Sequence, residues 1–313
     1  MPADTVIAVT SSSFASDSYL REQLLHFFPN SLLNCEKQKL SREALIKFLK
    51  PADGIILGTD QVDAQLLESC PRLQFVSKYG VGMDNIDRAA CEARGVHIGW
   101  TGGVNRLSVA EQVLGFMLSL CRNLYQSSVK LKTGTWEKQG GAQLSGKTIG
   151  IVGLGHIGKE LVRLLQPFSC RILVNDIIDQ SAFCLQYALE KASLTELVSE
   201  SNIVTIHTPL TTITRHLVNL DLLSCMKPNA FLINTSRGGV VNQQHLKESL
   251  RKGLIAGAAI DVYEDEPASD PELLELPNVF CTPHIGGNSK EAIRAMGCSA
   301  IEHVKTFFQV NES

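Results

Sequence analysis

The sequence predicts an α/β protein of two units, each a doubly wound parallel sheet with helices on both faces. Three observations carry that expectation. Short β-rich runs alternate with helical stretches from the N-terminus onward. The alternation breaks at a polar, glycine-rich stretch over 129–147 and then resumes. The length of 313 residues suits about two domains at roughly 100–200 residues each. Apolar residues make up 44% and charged residues 19%, the latter below the roughly 25% of an average chain. Disorder is thereby excluded for most of the chain, and the core needs no disulfide or metal staple.

In the first series, Thr5 to Val9 is a strand and Tyr19 to Phe28 has apolar residues at helical spacing. Ser41 caps a helix through Leu49 that Pro51 stops. Gly54 to Leu57 is a strand, Ala64 to Cys70 a helix and Leu73 to Val76 a strand. Asp87 to Arg94 is a helix ended by Gly95, a residue suited to the left-handed cap, and Val96 to Ile98 closes the series. A helix over Val109 to Leu124 follows, with Ser108 and Glu111 placed as a capping box. Its apolar residues cover more than one face, which implies burial on two sides or at a subunit interface. The 129–147 stretch, with Trp136, reads as an arm. The second series has strands at Thr148 to Val152, Arg171 to Asn175, Ile203 to His207, Ala230 to Asn234, Ile255 to Val262 and Val279 to Cys281. One helix fills the tail from Asn288 to Gln309, with Asn288 and Glu291 at its cap.

A formal charge of −3 and the lack of a Lys/Arg run argue against nucleic acid or membrane surfaces as partners. The longest apolar stretch, Val113 to Cys121, is far short of the about 18 residues of a membrane span. The N-terminus does not read as a signal peptide. The nine scattered cysteines, with no C-x-x-C, point to a reducing cytoplasm and to no metal site.

The strongest local pattern is Gly153-Leu-Gly155-His156-Ile157-Gly158. A G-x-G-x-x-G alone is weak, but this one follows a β run and opens a helix. Gly153 permits the tight turn, Gly155 lets a pyrophosphate approach the backbone, and Gly158 lets helix pack on strand. The phosphates would sit on the N–H groups of His156 and Ile157, at the positive helix end. Asp176 lies 21 residues beyond Gly155 at the end of the next strand, where a carboxylate binds both ribose hydroxyls and repels a 2′-phosphate. The expected cofactor is NAD rather than NADP. Three polar residues follow later strands: Arg237, Glu266 and His284. Strand carboxyl ends form the ligand crevice of such sheets. Each residue alone has an ordinary structural reading, but all three arriving there points to an active site.

These segments resemble the D-isomer-specific 2-hydroxyacid dehydrogenases, phosphoglycerate dehydrogenase among them. The resemblance rests on Ser77 to Asp87 (SKYGVGMDNID), Gly103 to Glu111, GLGHIG, His207-Thr-Pro-Leu-Thr211, the INTSRGG run around Arg237, DVYEDEP and TPHIGG, and covers nearly the whole chain. It implies Arg237, Glu266 and His284 as the catalytic residues. Arg237 would clamp the substrate carboxylate and polarise the carbonyl. His284 would pass the proton, and Glu266 would bond the imidazole and keep it protonated. His207, Thr208, Pro209, Thr235, Ser236, Asp261, Gly286 and Gly287 fall on cofactor-contacting positions, with Asp261 at the nicotinamide amide. Lys78, Tyr79, Gly80, Val81 and Gly82 fall on the substrate loop, where the amides of Val81 and Gly82 hold the carboxylate.

The resemblance also implies a flavodoxin-like substrate domain of residues 1–102 plus 287–313. A Rossmann NAD-binding domain, 103–286, is inserted into it, and hinge closure over the substrate excludes water. It implies a small-molecule 2-hydroxy or 2-keto acid substrate. The excess apolar face of the 109–124 helix, with Trp136 in an otherwise polar segment, predicts a homodimer built on that helix and the arm. The expected activity is 3-phosphoglycerate dehydrogenase-like, with Lys78 meeting the phosphate. Leu57 to Gln61 lacks the Arg or Lys that such enzymes often carry there. The alternative is a glyoxylate, hydroxypyruvate or other small 2-ketoacid reductase. A third reading is a non-catalytic NAD-sensing corepressor. No C-terminal regulatory domain is expected after the last helix.

Overall fold

A computed structural model describes residues 4–35 and 40–310. The chain divides into two compact units. One runs up to Asn105 and takes in the residues from Gly287 onward, and the other is Arg106–Gly286.

The first unit is a five-stranded parallel sheet of β1 (Ile7–Val9), β2 (Leu32–Leu33), β3 (Gly54–Leu57), β4 (Phe75–Lys78) and β5 (His97–Gly99). Its order, β2-β1-β3-β4-β5, is that of flavodoxin-like sheets. All four residues of β3 are buried, as expected of a parallel strand covered on both faces. Side-chain caps set the helix starts. Ser41 accepts from the Ala44 amide, Asp63 from Leu66 and Asp87 from Ala90. Gly95, at φ +68°, stops the helix Arg88–Ala93. The expected strand from Leu73 begins two residues late because the Leu73 amide still closes a turn onto Cys70. The last helix, Lys290–Phe307, is capped by Ser289, whose side chain accepts from the Ala292 amide, and not by Asn288. It packs on this unit: Ser77 Oγ donates to the Ala300 carbonyl at 2.8 Å, and Phe75 stacks on Phe307 at 4.5 Å.

The second unit is a seven-stranded parallel sheet of β6 (Thr148–Val152), β7 (Arg171–Asn175), β8 (Glu190–Lys191), β9 (Ile203–Ile206), β10 (Phe231–Asn234), β11 (Gly257–Ile260) and β12 (Val279–Cys281). The order β12-β11-β10-β9-β6-β7-β8 is the Rossmann order extended by one strand. The chain reverses direction across the sheet between β6 and β9, where such sheets bind their ligands.

The long helix is Arg106–Cys121, earlier at both ends than the sequence suggested. Ser108 is therefore inside it and is no cap; its hydroxyl donates to the Gly286 carbonyl at 2.6 Å. The helix ends because the Cys121 carbonyl accepts from the Ala142 amide at 2.7 Å and Asn123 turns to φ +53°. Gly141 has to be glycine there, since an added Cβ would lie 2.0 Å from that carbonyl. The start of the expected arm, residues 129–132, belongs to a helix, Leu124–Lys132, with no buried residue. No helix of the described residues is long and apolar enough to cross a membrane.

Candidate active site

At the end of β6, Gly153 adopts φ +96°. A Cβ there would come within 2.9 Å of the His207 carbonyl carbon and 3.0 Å of the Thr208 nitrogen. A Cβ on Gly158 would lie 2.4 Å from the Gly153 oxygen, whereas one on Gly155 would meet nothing within 4 Å. Two glycines thus serve packing and the third leaves room for a ligand. The helix His156–Leu165 starts directly at Gly155, so its first amides face the turn. Asp176 accepts from the Leu154 amide at 2.6 Å and the Ile178 amide at 2.8 Å. An ionised carboxylate has about four acceptor positions, so capacity for two ribose hydroxyls remains.

The residues after β9 and β10 fit a dinucleotide as well. The hydroxyls of Thr208 and Thr235 are buried without a hydrogen-bond partner, a costly state unless a ligand supplies one. Ser236 donates to Asn234 Oδ1 at 2.9 Å, and Pro209 is exposed. His207 bonds Thr205 Oγ1 through Nε2 at 3.0 Å. Burial pushes its ring down to about 3, so it is neutral and no proton donor near pH 7.

The three residues expected to be catalytic all follow strand ends of this sheet. Arg237 comes after β10, and its Nη1 donates to the Ser236 carbonyl at 2.8 Å. Glu266 lies in the loop after β11 and His284 after β12, and His284 Nδ1 meets Glu266 Oε2 at 2.7 Å. Glu266 Oε1 accepts from the Tyr263 amide at 3.1 Å. Burial pushes the Glu266 carboxyl up, but the His284 ring, the Tyr263 amide and the Arg237 charge outweigh it and hold it below its ordinary value. His284 sits at φ +53°, a left-handed backbone that costs a non-glycine residue energy and marks a constrained site.

Asp261 fixes that backbone. It is 1% exposed. Its Oδ1 accepts from Gln112 Nε2 at 3.1 Å, Thr282 Oγ1 at 2.5 Å and the Ile285 amide at 2.9 Å. Its Oδ2 takes the Gly286 amide at 2.8 Å. A Cβ on Gly286 would lie 2.8 Å from Gln112 Oε1. Gln112 was not anticipated, and Ser108 only as a cap. Both lie on one face of the long helix, four residues apart, and two polar groups so aligned were the available signal.

Comparison with known proteins places this arrangement. Residues 114–286 match the model of the D-isomer specific 2-hydroxyacid dehydrogenase NAD-binding domain. The chain is 33% identical over 278 residues to a hydroxypyruvate reductase of Thermotoga maritima, covering 87% of this chain and 90% of that one. The chain belongs to the D-isomer specific 2-hydroxyacid dehydrogenases. It is also 35% identical over 271 residues to a D-3-phosphoglycerate dehydrogenase of Methanocaldococcus jannaschii, covering 85% of this chain and 52% of that one. It therefore spans about half the length of that relative. A crystal structure of D-lactate dehydrogenase from Aquifex aeolicus with NAD and lactic acid superposes with a TM-score of 0.85 at 26% identity, over 97% of this chain and 96% of that one. Members of this family are oxidoreductases acting on CH–OH groups, and the cofactor of the Rossmann unit is NAD.

In this dehydrogenase the loop of the first unit expected to meet substrate follows β4. Tyr79 is buried, with its hydroxyl accepting from Ser13 at 3.2 Å, and Gly80 turns the chain at φ +117°. Lys78 does not fit the phosphate role expected of it. It is 7% exposed, and its ammonium donates to the Gly58 carbonyl at 2.5 Å and to Asn85 Oδ1 at 2.9 Å. Asn85 in turn donates to the Gly58 and Asp60 carbonyls. A cation engaged inward ties loops together, and its distance from bulk solvent was not visible in a Lys beside a glycine loop.

Proposed function

We propose that the protein is an NAD-dependent reductase of small, unphosphorylated 2-keto acids of the glyoxylate or hydroxypyruvate kind, and runs in reverse on the 2-hydroxy acid. The observation that carries the reading is the His284–Glu266 pair in the same sheet as Arg237 and the dinucleotide turn. The inward engagement of Lys78 favours an unphosphorylated substrate. The 3-phosphoglycerate reading keeps second place, supported by the 35% identity to an enzyme of that name.

Gly153, Gly155, Gly158, Asp176, Thr208 and Thr235 would hold the dinucleotide. When bound, it supplies or takes up a hydride at carbon 4 of the nicotinamide. Arg237 pairs with the substrate carboxylate and draws electron density from the adjacent carbonyl, as a planar guanidinium does in bidentate geometry. In the first unit, the backbone N–H groups of Val81 and Gly82 are suited to a carboxylate. In reduction, His284 gives its proton to the carbonyl oxygen while the carbonyl carbon gains the hydride; in oxidation it takes that proton back. Glu266, ionised at neutral pH, holds Nδ1 and stabilises the charged ring. Asp261, Gln112 and Thr282 keep the loop of His284 in register.

Steady-state kcat/KM across glyoxylate, hydroxypyruvate, pyruvate and 3-phosphohydroxypyruvate tests the substrate assignment. The unphosphorylated acids should lead. A clear preference for the phosphorylated acid would restore the phosphoglycerate reading.

The molecule is further proposed to be a cytoplasmic homodimer. Its nine cysteines are all free. The segment with exposed Leu124, Tyr125, Val129, Leu131 and Trp136, the last 77% exposed, offers an apolar surface for a second copy. Sedimentation at micromolar concentration should give twice the mass of 34.2 kDa; a monomer would remove the dimer.

A further inference from the structure

Trp100 is exposed to 43% at the end of β5, an unusual place for a large apolar side chain. Its indole N–H donates to the Val81 carbonyl at 3.0 Å. The loop it touches is held at its base by other groups. The Tyr79 amide donates to Leu57, the Val62 amide to Asn85, and Lys78 and Asn85 close on Gly58. Trp100 grips the middle of the loop, at Val81.

The consequence follows from peptide geometry. Within the described residues the cis bond is Glu266–Pro267, so the unit joining Val81 to Gly82 is trans. In a trans planar peptide the C=O and N–H point in opposite directions. Holding the Val81 oxygen therefore fixes the direction of the Gly82 N–H. Among the described residues neither the Val81 nor the Gly82 amide has an acceptor. Successive N–H groups at a glycine turn form an anion-binding concavity.

We propose that Trp100 is a positioning residue for substrate, which holds the Val81 carbonyl so that the Gly82 N–H is presented to the substrate carboxylate. This rests on the reading above of the Gly80–Gly82 loop as the carboxylate site. The residue acts on binding rather than on proton or hydride movement, so its signature is in KM. Replacing Trp100 by Phe keeps an aromatic ring and removes the donor.

In Trp100→Phe, KM for glyoxylate should rise about tenfold, the size of one hydrogen bond. Turnover should change by less than about threefold, and KM for NADH should stay put. The second measurement follows the Gly82 amide by 15N-labelled glycine NMR while oxamate, a 2-oxo carboxylate analogue, is added to the NADH-loaded enzyme. The wild type should show a saturable shift of that amide, and Trp100→Phe should need about ten times more oxamate. An unchanged KM in Trp100→Phe, with the amide still responding at wild-type oxamate, overturns the role of Trp100 and leaves the loop reading standing. An amide that ignores oxamate in the wild type overturns the loop reading, and the role of Trp100 with it. A loss confined to turnover or thermal stability would mark Trp100 as packing only and would also overturn the proposal.

Discussion

The second unit contains two histidine–glutamate pairs built from one acidic loop, and their surroundings differ. His284 meets Glu266 at 2.7 Å and His216 meets Glu264 at 3.1 Å. Both histidines adopt φ +53°, and their side chains are similarly exposed, 43% and 40%. The difference lies in their surroundings. Both ring nitrogens of His216 face protein groups, Glu264 through Nε2 and the Asn242 amide 3.5 Å from Nδ1. Its backbone amide is tied to the Gly239 carbonyl, and Glu264 also accepts from the Gln243 amide. That pair clamps three loops to one another. His284 instead follows a strand end and engages Glu266 through Nδ1, on a loop that Asp261 fixes. A histidine–carboxylate contact is thus no signature of catalysis by itself; the pairs differ in which ring nitrogen meets the carboxylate, Nε2 in His216 and Nδ1 in His284, and in the loops that the contact ties together.

The largest expected effect separates the two histidines. His284→Ala should lower turnover by at least about 100-fold, the lower range for a general acid/base, with NADH affinity nearly unchanged. His216→Ala should stay within about threefold in turnover and show itself in thermal stability. Equal losses in both would erase the distinction drawn between the pairs.

A middle-sized effect concerns the turn beside them. The wild type should prefer NAD over NADP in kcat/KM, and Asp176→Ser should shrink that preference by roughly 10–150-fold, the worth of hydrogen bonds to a charged group. Equal use of both cofactors by the wild type would contradict the ribose assignment.

The smallest effect is on stability and follows pH. The Glu266 carboxyl is depressed below its ordinary value of 4.5 in the fold, so its stabilisation is present above that value and is lost as pH falls through the folded one. The thermal midpoint of Glu266→Gln should sit a few degrees below that of the wild type at pH 7, given a partly exposed pair worth at most about 1 kcal/mol. The gap should persist at pH 5 and narrow on further acidification. A gap that grows in acid would reverse the sign.

Much of this was legible in the sequence because parallel sheets write themselves as apolar runs. β3, β6, β7 and β12 sit at their expected residues, and Ser41 and Gly95 act as expected. The two-residue edge strands β2 and β8 carried too little pattern to be seen. Ser108 reads locally as a cap, yet its partner Gly286 lies 178 residues away. The neighbouring Asn288 and Ser289 are equally able caps by type, and backbone geometry chooses between them. Arg237, Glu266 and His284 were visible because each follows an apolar strand. Gln112, Trp100 and His216 were not, since their roles depend on partners 149, 19 and 48 residues distant. Lys78 was visible as a cation, but only packing reveals that it faces inward.

On the proposed function, His284 delivers the proton when a 2-keto acid is reduced with NADH. The most direct test is the oxidation of NADH by the purified wild type and by His284→Ala, with glyoxylate or hydroxypyruvate added, alongside the binding of NADH to both. Ketoacid-dependent NADH loss is expected in the wild type, with its near disappearance in the mutant and equal NADH binding in both. A wild type inert toward every 2-keto acid, or a mutant as fast as the wild type, would contradict the proposal.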